Sequence, residues 1–362
     1  MSSRRGRLIC MNEALLHDVV AAATLLWGSY KPTRLIELPA LARRAGVGHV
    51  LVKVEGGRPF GNFKVLGGMT AGLCALARAA GATIEELLSG QTPHTSLPRL
   101  ICASDGNHGL AVAAAARRAG GSASVYLPKS ASRVRAERIE AQGAEVVWID
   151  GTYDEAVDEA AAAASRGEGL LISDTSADPD DLIVHDVMAG YALLTKELVA
   201  QCQEMLAGYP THLFVQAGVG GLAAAMAEGL CNHLEGPGRL VVVEPASAAC
   251  VGRALAMGKP ERLAGDLPTC AEMLACGLAS ASAVPILLKH QARSVVVSEE
   301  QLQDAVGSLR DAGGPSTTPS GAAGLAGFLH VAMEPALRQA HGLDAQSVVL
   351  LVATEACPEL RL

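Results

Sequence analysis

One lysine lies in a segment that could make it chemically reactive. Lys64 follows Phe63 and precedes the diglycine Gly67–Gly68, and we expect a helix to begin near Met69. Burial in apolar surroundings lowers the pKa of an amine, and such a lysine can form a Schiff base. Asn62 and Phe63 add a hydrogen-bonding group and a wall for a flat ring. Taken alone, the segment is more typical of an ordinary solvated loop lysine.

A second segment is a polar turn, Ser104-Asp105-Gly106-Asn107-His108-Gly109, placed between an apolar strand and an alanine-rich helix. Its backbone N–H groups would collect at a helix N-terminus, which attracts a carboxylate or a phosphate. A plain helix cap is the alternative, because Ser, Asp and Asn are common N-cap residues.

The third segment is the glycine-rich turn Gln216-Ala-Gly-Val-Gly-Gly-Leu222, again between a strand and a helix. Glycines at 218, 220 and 221 permit positive φ and a close approach of the backbone to an anion. The turn lacks the lysine of a nucleotide-binding P-loop and the spacing of a dinucleotide fingerprint. It therefore predicts a backbone cradle for a single phosphate.

The composition excludes several other classes of protein. The chain has 362 residues, with 29 basic and 37 acidic side chains and no basic cluster, which argues against a nucleic-acid surface. Its nine cysteines are scattered and never form a CxxC pair, so we expect free thiols in a reducing cytosol and no zinc site. The apolar stretch Leu8–Met11 is too short for a signal peptide, and no run approaches the roughly 20 residues of a membrane span.

From about residue 97, short apolar runs alternate with longer alanine-rich segments, which predicts an α/β fold. A closed eight-stranded barrel would fit the number of strands, but three glycine-rich turns of different composition favour an open, doubly wound sheet. The predicted strands are Arg99–Ser104, Ala123–Leu127, Glu145–Ile149, Leu170–Asp174, His212–Gln216, Leu240–Glu244, Ser294–Val297 and Val348–Thr354. The predicted helices lie near 108–119, 132–142, 153–166, 186–207, 221–234, 299–312 and 321–338, and 83–96 is predicted as a loop or short helical insertion.

A reactive lysine, an anion-binding turn and a one-phosphate cradle together indicate pyridoxal phosphate. In their order and residue types the segments resemble the fold-type II, tryptophan synthase β-like, pyridoxal-phosphate enzymes, and among these most closely the diaminopropionate ammonia-lyases. The resemblance runs from Tyr30-Lys-Pro-Thr33 through the three segments, Asp174-Thr175 and Val243-Glu-Pro245 to Thr354-Glu355.

The resemblance implies a role for each segment. Lys64 would hold the cofactor covalently with Phe63 beside it, and Asn107 would donate a hydrogen bond to its 3′-oxygen. Thr354 would face the pyridine nitrogen, where a neutral hydroxyl suits elimination; a routine strand threonine is the alternative. The phosphate would bind the backbone amides of Gly218, Val219, Gly220, Gly221 and Leu222.

Two aspartates distinguish the subfamilies. Dehydratases of this fold carry a serine or threonine in the carboxylate-binding loop at the position of Asp105, whereas Asp105 and Asp174 resemble the two acidic positions of the ammonia-lyases. Two carboxylates suit a cationic β-ammonium group and acid or base catalysis; for Asp174, a strand-end cap is the alternative. The substrate-binding residues implied are Ser104, Asp105, Gly106 and His108.

The resemblance also implies two parallel-sheet domains with the cofactor between them. We expect residues 1–75 and 176–362 to form a large cofactor-binding domain and residues 76–175 a smaller one. The predicted reaction is α,β-elimination, with 2,3-diaminopropionate as the expected substrate. The alternatives are a threonine, serine or 3-hydroxyaspartate dehydratase, a β-replacement synthase, or an inactive paralogue that only binds the cofactor. We expect a cytoplasmic homodimer without a metal ion, acting on a small amino acid.

Overall fold

The computed structural model describes residues 30–90, 97–104, 106–206, 208–234 and 239–357. Within these ranges the strands form one sheet of six strands and one of four. The strands are β1 (Leu35–Glu37), β2 (His49–Val54), β3 (Leu100–Ala103), β4 (Ala123–Pro128), β5 (Glu145–Ile149), β6 (Leu170–Leu171), β7 (His212–Gln216), β8 (Leu240–Pro245), β9 (Arg293–Val297) and β10 (Val348–Ala353).

Both sheets are open and almost entirely parallel. The larger sheet has the order β1-β2-β10-β7-β8-β9, and only β1 runs antiparallel to its neighbour. The smaller sheet, β5-β4-β3-β6, is parallel throughout. The predicted α/β fold with open sheets is therefore confirmed, and the barrel alternative is wrong.

The central strands are buried along most of their length. Every residue of β7 and β8 is buried, as expected for parallel strands that helices cover on both faces. At the edge of the sheet, β9 instead alternates between exposed and buried residues towards its end. This difference explains why the central strands read as continuous apolar runs in the sequence.

The helices surround both sheets. They are α1 (Pro39–Ala45), α2 (Lys64–Ala80), α3 (Ile84–Leu88), α4 (Asn107–Arg118), α5 (Arg133–Glu140), α6 (Tyr153–Ser165), α7 (Leu182–Leu206), α8 (Gly221–Gly229), α9 (Cys250–Met257), α10 (Ala283–Lys289), α11 (Glu299–Asp311), α12 (Pro319–Met333) and α13 (Pro335–Ala340).

Three predicted boundaries are corrected by the structure. The helix expected near Met69 begins at Lys64, so the lysine opens α2. The single helix predicted over 321–338 is two helices, because Pro335 cannot continue α12 and instead starts α13. The strand predicted over 170–174 ends at Leu171, so Asp174 lies in the loop that follows it.

Glycines let α2 pack closely between its neighbours α4 and α7. A Cβ atom on Gly67 would stand 2.6 Å from the Tyr191 ring of α7, and one on Gly68 would stand 2.6 Å from Ala111 Cβ of α4. Only a residue without a side chain permits these contacts. The close packing places the N-terminus of α2, and with it Lys64, between the two sheets.

Membrane-spanning helices and disulfide bonds are both absent from the parts of the chain that the structure describes. No helix there is long and apolar enough to cross a membrane. The cysteines in those ranges are all free thiols.

Candidate active site

Residues from all three segments lie beyond the carboxyl ends of parallel strands. Ser104 follows β3, Asp174 follows β6, Gly218 follows β7 and Thr354 follows β10, while Lys64 comes ten residues after β2 through a short loop. Ligands of open α/β sheets bind at these strand ends. The structure therefore brings the predicted site residues of both sheets to one region.

Lys64 is held at both its backbone and its side chain. Its backbone N–H donates to Asn62 Oδ1 at 3.0 Å, and its Nζ donates to the carboxylate of Asp174. The Nζ atom also lies 6.0 Å from the centroid of the Phe63 ring. Asp174, which the sequence placed in the site only through a resemblance, is thus the direct partner of the lysine.

The ion pair sets the charge of both groups. Burial alone would lower the pKa of Lys64 and raise that of Asp174, but the attraction between the two charges outweighs burial. The net result is a lysine pKa above its ordinary value and an aspartate pKa well below its own. The depressed lysine pKa expected from apolar surroundings is therefore wrong in the cofactor-free chain, because Asp174 stabilises the ammonium form.

The polar turn after β3 forms the N-terminus of α4. The Ser104 hydroxyl accepts a hydrogen bond from the backbone N–H of Gly106 at 3.3 Å, and Asn107 is the first helical residue. His108 is buried, and its Nε2 donates to the carbonyl of Ile172 at 2.8 Å. Burial lowers the pKa of His108 and keeps its ring neutral. Asp105 lies outside the described residues.

The turn after β7, which is predicted to cradle a phosphate, contains a backbone conformation that favours glycine. Gly220 has φ +94°, which strains any residue with a side chain, and Gly221 opens α8. A Cβ on Gly218 would come within 2.9 Å of the Cys276 sulfur. The carbonyl of Val219 accepts from the backbone N–H of Ser280 at 2.9 Å. Leu222, in the first turn of α8, is buried.

Thr354 directly follows β10 and is a buried residue with one side-chain hydrogen-bond partner. Gln216 Nε2 donates to Thr354 Oγ1 at 3.0 Å and faces three backbone carbonyls, which can only accept. The threonine hydroxyl keeps its own hydrogen for another acceptor. The carbonyl of Thr354 accepts from the backbone N–H of Phe63 at 3.0 Å, which ties the lysine loop to the end of β10.

Buried polar atoms without a hydrogen-bond partner occur near the predicted cofactor-binding residues. Among the described residues, three buried side-chain atoms have no hydrogen-bond partner, namely His108 Nδ1, Gln216 Oε1 and Ser280 Oγ. Each belongs to a residue that adjoins or contacts a predicted cofactor residue: Asn107, Thr354 or Val219. Unpaired buried groups cost free energy unless a ligand or water satisfies them. The lysine amine and the glycine-rich turn at a helix N-terminus are the features that fit a phosphorylated ligand able to form a Schiff base.

Comparisons with known proteins identify the family. The profile described as "pyridoxal-phosphate dependent enzyme" matches residues 26–355, which is most of the chain. The chain belongs to this family. The predicted cofactor, pyridoxal phosphate, and the fold-type II architecture are confirmed.

Similar proteins are ammonia-lyases. The diaminopropionate ammonia-lyase of Salmonella typhimurium is 35% identical over 96% of this chain and 90% of its own length. The structure of the holo diaminopropionate ammonia lyase from Escherichia coli has a TM-score of 0.84 and 28% identity, covering 96% of this chain and 90% of that one. The same enzyme with an aminoacrylate-PLP azomethine reaction intermediate has a TM-score of 0.82, with the same identity and coverage.

A buried network of four charged side chains lies next to the loop that leads to Lys64, and it was not predicted from the sequence. Arg58 donates to the carboxylates of both Glu55 and Glu197 at 2.7–3.0 Å, and Lys53 Nζ donates to Glu197 at 2.6 Å. All four side chains are buried. The only local signal was two charges, Lys53 and Glu55, inside an otherwise apolar stretch.

The network fixes the loop that carries the lysine. Arg58 stands six residues before Lys64, and the intervening Phe60 has φ +61°, an unusual value for a residue with a side chain. Glu197 lies on α7, the helix whose Tyr191 ring packs 5.0 Å from the Phe63 ring. Arg58 therefore joins the loop to the helix that also contacts it near the lysine.

Proposed function

We propose that this chain is a pyridoxal-phosphate-dependent ammonia-lyase that converts 2,3-diaminopropionate and water into pyruvate and two molecules of ammonia. The observation that carries the proposal is the contact between Lys64 Nζ and the Asp174 carboxylate, beside the cradle at Gly218–Leu222. A lysine and a carboxylate at one point can hold and move protons. The relatives that match over nearly the whole chain carry this activity in their names.

The reaction divides between the cofactor and the chain. When bound, pyridoxal phosphate supplies an electron sink for the electron pair of the Cα–H bond. Lys64 anchors the cofactor and, once the substrate amine has released it, takes the proton from Cα at its Nζ. Lys64 keeps Asp174 ionised, and the negative charge of this carboxylate favours a β-ammonium group over a neutral hydroxyl. Asp105 supplies a second carboxylate, in the loop that is proposed to bind the substrate carboxylate.

The remaining site residues bind and orient. The backbone amides of Gly218–Leu222 hold the phosphate at the N-terminus of α8, where the helix dipole favours an anion. Asn107 donates to the 3′-oxygen, and the Thr354 hydroxyl donates its free hydrogen to the pyridine nitrogen. Ser104, Gly106 and His108 line the site of the substrate carboxylate.

Product stoichiometry tests the reaction. Purified holoenzyme is supplied with diaminopropionate, serine, threonine or 3-hydroxyaspartate, and 2-oxo acid and ammonia are measured separately. The proposal expects two ammonia per pyruvate from diaminopropionate, with the highest kcat/KM for this substrate. A higher kcat/KM for a hydroxy amino acid, with one ammonia per 2-oxo acid, would establish a dehydratase instead. Binding of cofactor without any 2-oxo acid would leave only a cofactor-binding protein.

A matched pair of variants tests the residue roles. Lys64→Ala should lose the cofactor that borohydride fixes to the wild-type chain. Asp105→Ser should lower kcat/KM for diaminopropionate strongly while leaving that for serine similar or raised, since the lost carboxylate serves only a cationic β-group. Equal losses on both substrates would limit Asp105 to shaping the loop.

The expected organisation of the chain belongs to the same proposal. Two domains, residues 1–75 with 176–362 and residues 76–175, are supported by the two sheets, since β3–β6 all fall within the second range. A cytoplasmic location is supported by the free thiols of the described cysteines. We also propose a homodimer, which light scattering coupled to size-exclusion chromatography would test.

A further inference from the structure

The carboxylate of Glu355 connects the two sheets at the site without a part in the proposed reaction. Its Oε2 accepts a hydrogen bond from Asn107 Nδ2 at 2.5 Å, and its Oε1 accepts one from Thr318 Oγ1 at 2.5 Å. Asn107 begins α4 beside the smaller sheet, whereas Glu355 follows β10 of the larger sheet. Both oxygens of one carboxylate are thus committed to two different elements.

The larger sheet holds Glu355 in place. Its carbonyl accepts from the Thr317 hydroxyl, and its backbone forms an antiparallel bridge with Asn62 in the lysine loop. Thr318 is itself fixed as the N-cap of α12, where its hydroxyl accepts from Gly321 N–H at 3.0 Å. The backbone and Oε1 of Glu355 are therefore fixed by the larger sheet and α12, and Oε2 points to Asn107.

A carboxylate partner determines which way the asparagine amide points. An ionised carboxylate can only accept hydrogen bonds, so Asn107 must turn its Nδ2 towards Glu355 and its Oδ1 away. The Nδ2 atom carries two hydrogens, and one remains free for a second acceptor. With the amide rotated by half a turn, two oxygens would face each other at Glu355, and that contact is repulsive.

We infer that Glu355 is a positioning residue, which orients the Asn107 amide so that its second N–H is available to the 3′-oxygen of the cofactor. The inference rests on the proposed role of Asn107 as a cofactor ligand. Glu355 acts on the cofactor only through Asn107. It makes the end of β10 contribute twice to the site, through the Thr354 hydroxyl and through the neighbouring carboxylate.

A double-mutant cycle on cofactor affinity tests this coupling. The dissociation constant of pyridoxal phosphate and the absorption maximum of the bound cofactor are measured for wild type, Glu355→Ala, Asn107→Ala and the double variant. Each single change should weaken binding about tenfold, the effect of one lost hydrogen bond of about 1.4 kcal/mol. The double variant should bind no more weakly than Asn107→Ala alone. Multiplied losses in the double variant would overturn the inference.

Glu355→Gln separates hydrogen bonding from charge. Glutamine Oε1 can still accept from Asn107, and its Nε2 can donate to the Thr318 hydroxyl oxygen. This variant should therefore recover most of the cofactor affinity lost in Glu355→Ala, together with the wild-type absorption maximum. Affinity as low as that of Glu355→Ala would refute an orienting hydrogen bond and assign the effect to charge.

Glu228→Ala is the matched control for a general loss of stability. Glu228 is a partly buried glutamate that accepts from Lys289 and His290 at 2.8–3.0 Å, at the C-terminal end of α8. Its removal should lower the thermal midpoint but leave the cofactor affinity unchanged. An equal loss of affinity in Glu228→Ala would assign the Glu355 effect to stability and overturn the inference. The double-mutant cycle measures cofactor binding and tests only the role of Glu355. The proposed reaction is tested separately, by whether the wild-type enzyme forms pyruvate.

Discussion

Replacing Arg58 by methionine should lower the free energy of unfolding of the cofactor-free chain by about 3–5 kcal/mol, the usual cost of removing one partner from a buried ion pair. Arg58 makes four hydrogen bonds of 2.7–3.0 Å to two buried carboxylates. After the change, Glu197 still accepts a hydrogen bond from Lys53 Nζ at 2.6 Å. The described donor left to the fully buried Glu55 is the Thr33 hydroxyl at 2.5 Å, so a buried charge loses its cation.

Urea denaturation at neutral pH measures this effect. For a chain of this length the slope with urea is about 3 kcal/mol/M or more, so the midpoint should fall by about 1 M. The control is Arg253→Met, which removes a similar two-bond contact to Glu261 at 2.9–3.0 Å on the surface. Solvent screens that pair, so its loss should scarcely move the midpoint.

A second variant tests the cause of the loss. Adding Glu55→Gln to Arg58→Met removes the stranded charge and should recover part of the lost stability. The reasoning is refuted if Arg58→Met unfolds at the same urea concentration as Arg253→Met. It is also refuted if the double variant is less stable than Arg58→Met, since that outcome assigns the effect to lost packing.

Three further predictions concern the cofactor. Ser280→Ala should raise the thermal midpoint of the cofactor-free chain, because its buried hydroxyl has no partner, and should weaken cofactor binding measured by fluorescence titration. Gly221→Asp should weaken cofactor binding at least about tenfold, because it places a carboxylate where the turn is proposed to bind the phosphate. Asp174→Asn should lower the pKa of Lys64, since it removes the charge that chiefly opposes the effect of burial. The rate of covalent cofactor attachment, followed against pH by borohydride fixation, should therefore reach its half-maximum at a lower pH in this variant.

Strands β1 and β2 and the start of the helix that carries the lysine were not predicted from the sequence. Strands β1 and β2 precede the region where apolar and alanine-rich segments alternate, and β1 has only three residues. The helix of the lysine begins at Lys64 although Gly67 and Gly68 disfavour a helix locally. Its packing against α4 and α7 requires those glycines, and this tertiary gain outweighs the local propensity.

What the sequence by itself determined are the features that depend on neighbouring residues. The buried parallel strands follow from continuous apolar runs, and the cradle follows from glycines that tolerate a conformation such as φ +94° at Gly220. The order of lysine, polar turn and glycine turn sufficed to indicate the cofactor. These inferences succeed because each physical cause lies within a few residues of its effect.

Only the tertiary structure decided which distant groups share their charges and hydrogen bonds. Lys64 pairs with Asp174 across 110 positions, and Asn107 meets Glu355 across 248. Arg58 reaches Glu197 across 139. Each pairing depends on how helices and sheets pack, and it sets the protonation of the lysine and the orientation of the asparagine amide. No local pattern records such a partner, because the attraction exists only once the chain has brought the two groups together.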